Sequence, residues 1–273
     1  MAEEKDDLAS DLFVPARERD PLRAVAEGGK PKKLARFYKS VTTAPQAEGF
    51  AVLLDGKPLR TPARAPLLLS SEALAQEVAR EWEAQAEHVD PASMPLTRLA
   101  NSALDGVRPR MAEVEADAAK YAASDLVCYR AGEPEGLVAA QREAWDPILA
   151  FIYERCGARF ALSEGVMHHA QPRETLDAVG QLLHETVGDG KAAPFRLAGI
   201  HVMTTLSGSL VVALAVALRH LDAEAGFAAA HVDEDYQLRV WGMDAEAMAR
   251  RARRSEEMRA AALCVALSGS QAP

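Results

Sequence analysis

His231, Glu234 and Asp235 fall within five residues and are the side-chain types from which metal sites and acid–base pairs are made. His231 and Asp235 stand four apart, so on a helix they share one face. That arrangement would suit a small metal-dependent or acid/base hydrolase. The rest of the chain does not complete it. A metal needs three or four converging ligands, and HExxH is absent: His184-Glu185 continues as Thr186-Val187-Gly188-Asp189. His168-His169 sits in an irregular stretch, and an i,i+4 His/Asp pair on an acidic helix reads first as a solvated pair. His201, among Ile200, Val202 and Met203, reads as a hydrogen-bonded core histidine. Neither a GxSxG elbow nor a GxxxxGK[ST] or GxGxxG phosphate cradle occurs. Leu206-Ser207-Gly208-Ser209, between apolar segments, reads as a helix break. The expectation is a protein with no catalytic residue, no metal, no cofactor and no small-molecule substrate.

The same stretch also carries the chemistry of protein recognition. In Asp233-Glu234-Asp235-Tyr236-Gln237 and onward to Trp241, the residues Glu234, Gln237 and Trp241 fall on one helical face. Asp235 can pair with Arg239 on another. Two readings stay open. The stretch is a solvated acidic turn, or it is a surface where an aromatic supplies buried area and the acids select a basic partner. Arg250, Arg251, Arg253 and Arg254 read as a solvated face paired within the chain.

The elements that position this stretch are helical, and they follow a smaller β-containing part. Gly49 to Pro62 reads GFAVLLDGKPLRTP, an extended run broken by Asp55-Gly56. A two-residue hairpin turn needs positive φ, which glycine reaches freely and aspartate tolerates. Phe37, Val41 and Thr42 suggest a strand over 36–42 with a turn at Pro45, and 66–69 another strand. Ser70 and Ser71 can cap a helix from Glu72 whose stripe is Leu74, Val78 and Trp82. The prolines of VDPASMP (89–95) mark a domain boundary. Beyond it helices are expected over 96–104, 110–122, 137–145, 146–156, 173–187, 195–206, 210–221, 224–241 and 245–267, with 159–170 extended or irregular. The predicted fold is α+β. A charged flexible arm (1–33) precedes a β-rich domain with a covering helix (34–92), then a larger all-α domain (93–267) and a short tail (268–273).

Bulk properties narrow the partners. A net charge of −9 and a pI of about 5.4 oppose binding to nucleic acid or anionic membranes. Cys128, Cys156 and Cys264 form no CxxC pair and suit a reducing compartment. The amino terminus is acidic, without a signal or presequence pattern. The apolar run Leu210 to Leu218 is too short for stable membrane insertion, so a bacterial cytoplasm is expected.

Five ordered blocks then resemble a known family: GFAVLLDGKPLRTP, LAQEVAREWEAQAEHVDPASMPLTRLANSALD, SDLVCYRA, LVAAQREAWDPIL and HVDEDYQLRVWG. Together, between about Phe37 and Leu263, the chain is similar to the ATP12 family, chaperones that assist assembly of the F1 sector of ATP synthase. The resemblance implies a β-containing amino-terminal domain, a helical carboxy-terminal domain, and non-enzymatic binding of the unassembled F1 α subunit until β replaces it. Eukaryotic relatives would act in the mitochondrial matrix. Trp82 matches the family's EW pair, and Glu234 matches an acidic position associated with function. The expected partner-binding residues are thus Asp233, Glu234, Asp235, Gln237 and Trp241, with Trp82 as a core or functional tryptophan.

Overall fold

The computed structural model describes residues 34–165, 169–241 and 245–269, with a small sheet-containing amino-terminal part and a mostly helical remainder. The arm expected over 1–33, His168, and residues 270–273 of the expected tail lie outside the described residues. The chain divides into two compact units. The first ends at Pro109 and takes in 267–269; the second runs from Arg110 to Ala266.

In the first unit, β3 (Gly49–Leu54) is the central strand, antiparallel to β2 (Val41–Gln46), β4 (Lys57–Pro58) and β5 (Leu68–Leu69). Asp55 (φ 49°) and Gly56 (φ 80°) form the two-residue turn into β4, where Leu54 faces Lys57. The Asp55 carboxylate also accepts the Lys39 and Ser40 amides, which hold its pKa below the usual range. The strand expected over 36–42 lies later. β2 runs through Pro45, which faces Phe50, and the turn falls at Ala47-Glu48. Proline is tolerated there because β2 is an edge strand with no further ladder to donate to.

Helix α1 (Glu72–Glu83) packs on β2 and β3, and Ser71 Oγ caps it by accepting the Leu74 amide. Leu74, Val78 and Trp82 are all buried, so the 3.6-residue stripe is the core-facing side. The short strands β1 (Leu34–Ala35) and β6 (His88–Val89) pair beside it. Residues 93–109, expected to open the helical domain, belong instead to this first unit. They form α2 (Pro95–Ser102) and a π-helical turn (Ala103–Val107). The Glu81 carboxylate on α1 accepts the Leu96 and Thr97 amides, satisfying the free donors at the start of α2. Ser268, expected in a tail, is buried, and its carbonyl accepts Ser70 Oγ at 2.6 Å.

The second unit contains α3 (Met111–Lys120), α4 (Glu135–Cys156), α5 (Arg173–Val187), α6 (Ala193–Ser207), α7 (Leu210–Ala217), α8 (Ala223–Ala230), α9 (Val232–Trp241) and α10 (Ala245–Leu267). A two-residue parallel pair, β7 (Tyr129–Arg130) and β8 (Ser163–Glu164), joins two of its loops. Residues Leu210 to Val216 of α7 are buried all round and form its centre. The Ser207-Gly208-Ser209 break is as expected: Gly208 takes φ 69° and Ser209 caps α7.

Two expectations change. The helix pieces 137–145 and 146–156 are one continuous helix, with Pro147 inside it and Asp146 paired to Arg130 at 2.8 Å. The expected helix over 224–241 is two, because His231 leaves helical geometry at φ −122°.

Candidate partner-binding surface

Three of the sequence blocks, up to a hundred residues apart in the chain, meet around α9. Asp233 Oδ1 accepts a hydrogen bond from Gln141 Nε2 at 2.7 Å, and Gln141 Oε1 accepts the Ala131 amide at 2.8 Å. Trp145, buried on α4, donates its indole N–H to the Ala229 carbonyl at 2.7 Å. The Arg130 guanidinium lies over the Trp145 ring, 5.1 Å from its centroid. A methyl group on Gly136 would come within 3.2 Å of the Tyr236 hydroxyl, so glycine allows α4 and α9 to approach closely. Asp233 and Tyr236 therefore face the fold, half-buried.

The other flank of α9 meets α10. Arg251 Nη2 holds Asp235 Oδ1 at 2.6 Å, while Arg251 Nη1 and Arg254 Nη1 lie 3.6 and 3.7 Å from Glu234. The Arg251 guanidinium also covers the Phe227 ring at 5.2 Å. Arg254 donates to the Leu206 carbonyl, and Arg250 pairs with Glu246. Arg250, Arg251 and Arg254 are thus paired within the chain, and Arg253 donates to the Ala249 carbonyl. Asp235 is taken by Arg251, and Arg239, its expected partner, donates instead to the Asp235 backbone carbonyl.

Glu234 and Gln237 point outward, as their spacing predicts. The side chain of Trp241 lies outside the described residues. The five expected contact residues are therefore placed differently. Asp233 anchors α9 inward, Asp235 ties it to α10, and Glu234 and Gln237 are presented to solvent.

His231 is not the solvated half of a His/Asp pair. It is 2% exposed, its ring lies against Phe227, and Nδ1 is 2.7 Å from the Phe227 carbonyl. Burial pushes its pKa below the ordinary histidine value. With the imidazole buried and both acids beside arginines, the trio does not converge as ligands. Among the described residues no group of three His, Cys, Asp or Glu side chains is placed to hold a metal. The geometry gives the hydrolase reading no support. His201 is hydrogen-bonded, as expected, but to Asp117 at a half-buried position rather than in the core.

Trp82 belongs to the core of the first unit. It is 1% exposed in the first unit and meets Tyr38 edge-on at 5.7 Å, and the Tyr38 hydroxyl donates to its carbonyl at 2.6 Å. Burial pushes the Tyr38 phenol up to about 12.

Two acids that bond across the fold, one half-buried and one fully buried, escaped the sequence reading. Glu81, beside Trp82, caps α2. Asp125, fully buried, accepts the Val127 amide at 3.3 Å and the Val211 amide at 3.0 Å. It thereby ties a short turn to the start of α7, and burial pushes its pKa up to about 6. The available sign was its place in the block SDLVCYRA; its partner lies 86 residues away.

A family model described as ATP12 chaperone protein matches residues 35–153, which stop short of α9. The Atu1473 protein of Agrobacterium tumefaciens, described as a candidate chaperone, is 44% identical with a TM-score of 0.83. That match covers 97% of this chain and 98% of the other. Atp12 of Paracoccus denitrificans is 39% identical with a TM-score of 0.78, over 86% of this chain and 99% of its own. The mitochondrial protein atp12 of Schizosaccharomyces pombe is 23% identical over 219 residues, 76% of this chain and 73% of that protein. The fold is that of a chaperone family. The chain belongs to the ATP12 family.

Proposed function

We propose that this protein is an assembly chaperone for the F1 sector of ATP synthase, which binds the unassembled α subunit and shields its interface until β replaces it. The observation that carries this reading is membership of the ATP12 family at 39% identity to a Paracoccus Atp12 along nearly that protein's whole length. A free α subunit exposes the apolar surface it later buries against β, and such a patch aggregates with itself. A chaperone that caps the patch with moderate affinity yields to the larger permanent interface. Obligate interfaces bury upward of about 2,000 Å², so β binding supplies the driving free energy and no catalytic step or cofactor is required.

The face of α9 that presents Glu234 and Gln237 is the proposed contact, flanked by Asp233 and Asp235 and continuing to Trp241. Its support is the placement of Glu234: outward, half-exposed, and only loosely held by arginines 3.6 and 3.7 Å away. The proposed setting is a bacterial cytoplasm, supported by the two bacterial structures it resembles. No helix among the described residues is long and apolar enough to cross a membrane.

The test is capture of purified α subunit by the full chain. Wild type retains α and releases it when β is added. Glu234→Lys, folded as judged by an unchanged melting curve, retains much less. Failure of wild type to retain α refutes the client; equal retention by the lysine variant refutes the surface.

A further inference from the structure

His231 closes α8 and precedes α9, and its ring is held between two helices of opposite charge character. A carbonyl oxygen only accepts, so the 2.7 Å contact with the Phe227 carbonyl fixes the neutral imidazole with its proton on Nδ1. Nε2 then carries a lone pair. It is buried without a hydrogen-bond partner among the described residues, and Glu234 Oε2 lies 3.9 Å from it. Lone pair and carboxylate are both acceptors, so nothing bonds them. Arg251 Nη1 is likewise buried without a hydrogen bond, 3.6 Å from the same oxygen. One carboxylate thus stands between an imidazole and two guanidiniums, within hydrogen-bonding distance of none.

We propose that His231 is a proton-operated latch on the α9–α10 junction: a proton taken up at Nε2 draws the Glu234 carboxylate off Arg251 and Arg254 and onto the imidazole.

The added proton turns Nε2 into a charged donor, and a carboxylate 3.9 Å away needs to move only about 1 Å to accept it. The charged groups bearing on the ring come from both packed helices: Glu234 from α9, and Arg251 and Arg254 from α10. α8 contributes the Phe227 carbonyl and ring. The two arginines oppose the new cation while Glu234 favours it. Arg251 keeps Asp235 at 2.6 Å and Arg254 keeps the Leu206 carbonyl at 3.0 Å, so the junction loosens without coming apart. Burial opposes the charged form as well, placing the transition below the ordinary histidine range. The latch stands whether or not α9 touches a client.

Nuclear magnetic resonance of the full chain tests it, following the His231 ring, the Glu234 side-chain carboxyl and the Arg254 Nε–H between pH 7.5 and 5. The expected result is one shared midpoint below about 6.5 for all three signals. In Glu234→Gln the ring loses the anion 3.9 Å from Nε2, and its proton affinity falls by about threefold to tenfold. In His231→Gln the Glu234 and Arg254 signals lose that transition. Separate midpoints for His231 and Glu234 in the wild type overturn the latch even if His231→Gln does not fold. Unchanged or higher proton affinity of His231 in Glu234→Gln overturns it as well.

Discussion

The backbone amide and the hydroxyl of Thr97 both donate to one carboxylate oxygen of Glu81, each at 2.7 Å. The other Glu81 oxygen takes the Leu96 amide at 2.7 Å. A side chain from α1 therefore supplies the cap that α2 lacks locally, since Met94 at the cap position offers no side-chain acceptor. Glu81→Ala leaves two helix-terminal amides and a hydroxyl without this partner. It should cost about 2–4 kcal/mol, the sum of a lost cap and buried donors left unsatisfied. Denaturant unfolding gives the total, and hydrogen exchange should localise the loss to 95–107.

Two glycines with positive φ, Gly49 (156°) and Gly56 (80°), differ in the space that a side chain would meet. Gly56 has φ 80° and open space where a Cβ would stand, so Gly56→Ala meets only the left-handed penalty, about 1–2 kcal/mol. At Gly49 a Cβ would lie 2.4 Å from the Leu69 carbonyl oxygen, across the β3–β5 pairing. Gly49→Ala must move a backbone strand and should cost more than Gly56→Ala by at least about 1 kcal/mol. Thermal melts of the two variants rank them; equal losses would mean that β5 yields freely.

What could be read from the sequence was what short-range chemistry determines. The Asp55-Gly56 turn, the Leu74-Val78-Trp82 stripe and the helix over 173–187 all follow from patterns spanning a few residues. The placement of 93–109 depended on Glu81 reaching a helix fourteen residues on, which no local pattern reveals. Asp-Pro at 146–147 is a local pattern that favours a helix start, yet the helix runs through Pro147, with Arg130 paired to Asp146 and lying over the Trp145 ring. The His231 break carries no glycine or proline to mark it: the residue that leaves helical geometry, at φ −122°, is a histidine. At the site, periodicity put Glu234 and Gln237 outward. It could not show that Asp233 would find Gln141, or Asp235 Arg251, across 92 and 16 residues.

Asp125 should leave a mark on the pH dependence of stability. Its folded pKa is about 6 against an unfolded value near 3.8, so between these values the folded chain binds more protons than the unfolded one. Stability from this residue is present below about pH 4 and is lost as pH rises to about 6. Two pKa units correspond to about 3 kcal/mol. Asp55 and Asp117, whose pKa values are lowered, act with the opposite sign. The informative quantity is therefore wild type minus Asp125→Asn, measured by denaturant unfolding from pH 4 to 7. That difference should shift steadily against the wild type with rising pH. A flat difference would mean that Asp125 ionises in the fold as readily as in the open chain.

Bracing and contact at α9 separate by charge removal on its two sides. The Glu234 side chain is 57% exposed and its arginine contacts are 3.6 Å or longer, so Glu234→Gln should change stability by less than about 0.5 kcal/mol. Arg251→Ala removes the 2.6 Å pair with Asp235 and the guanidinium over Phe227, and should cost about 1–2 kcal/mol. If Glu234 contacts the client, Glu234→Lys weakens capture of the α subunit by about tenfold, or ~1.4 kcal/mol, at unchanged stability. Arg251→Ala then weakens capture only as far as α9 loosens, and assay below its melting range restores it. Should Glu234→Gln instead destabilise the second unit as much as Arg251→Ala, Glu234 is a brace. The contact on that face would then rest on Gln237, and Gln237→Ala is the variant that must reduce capture.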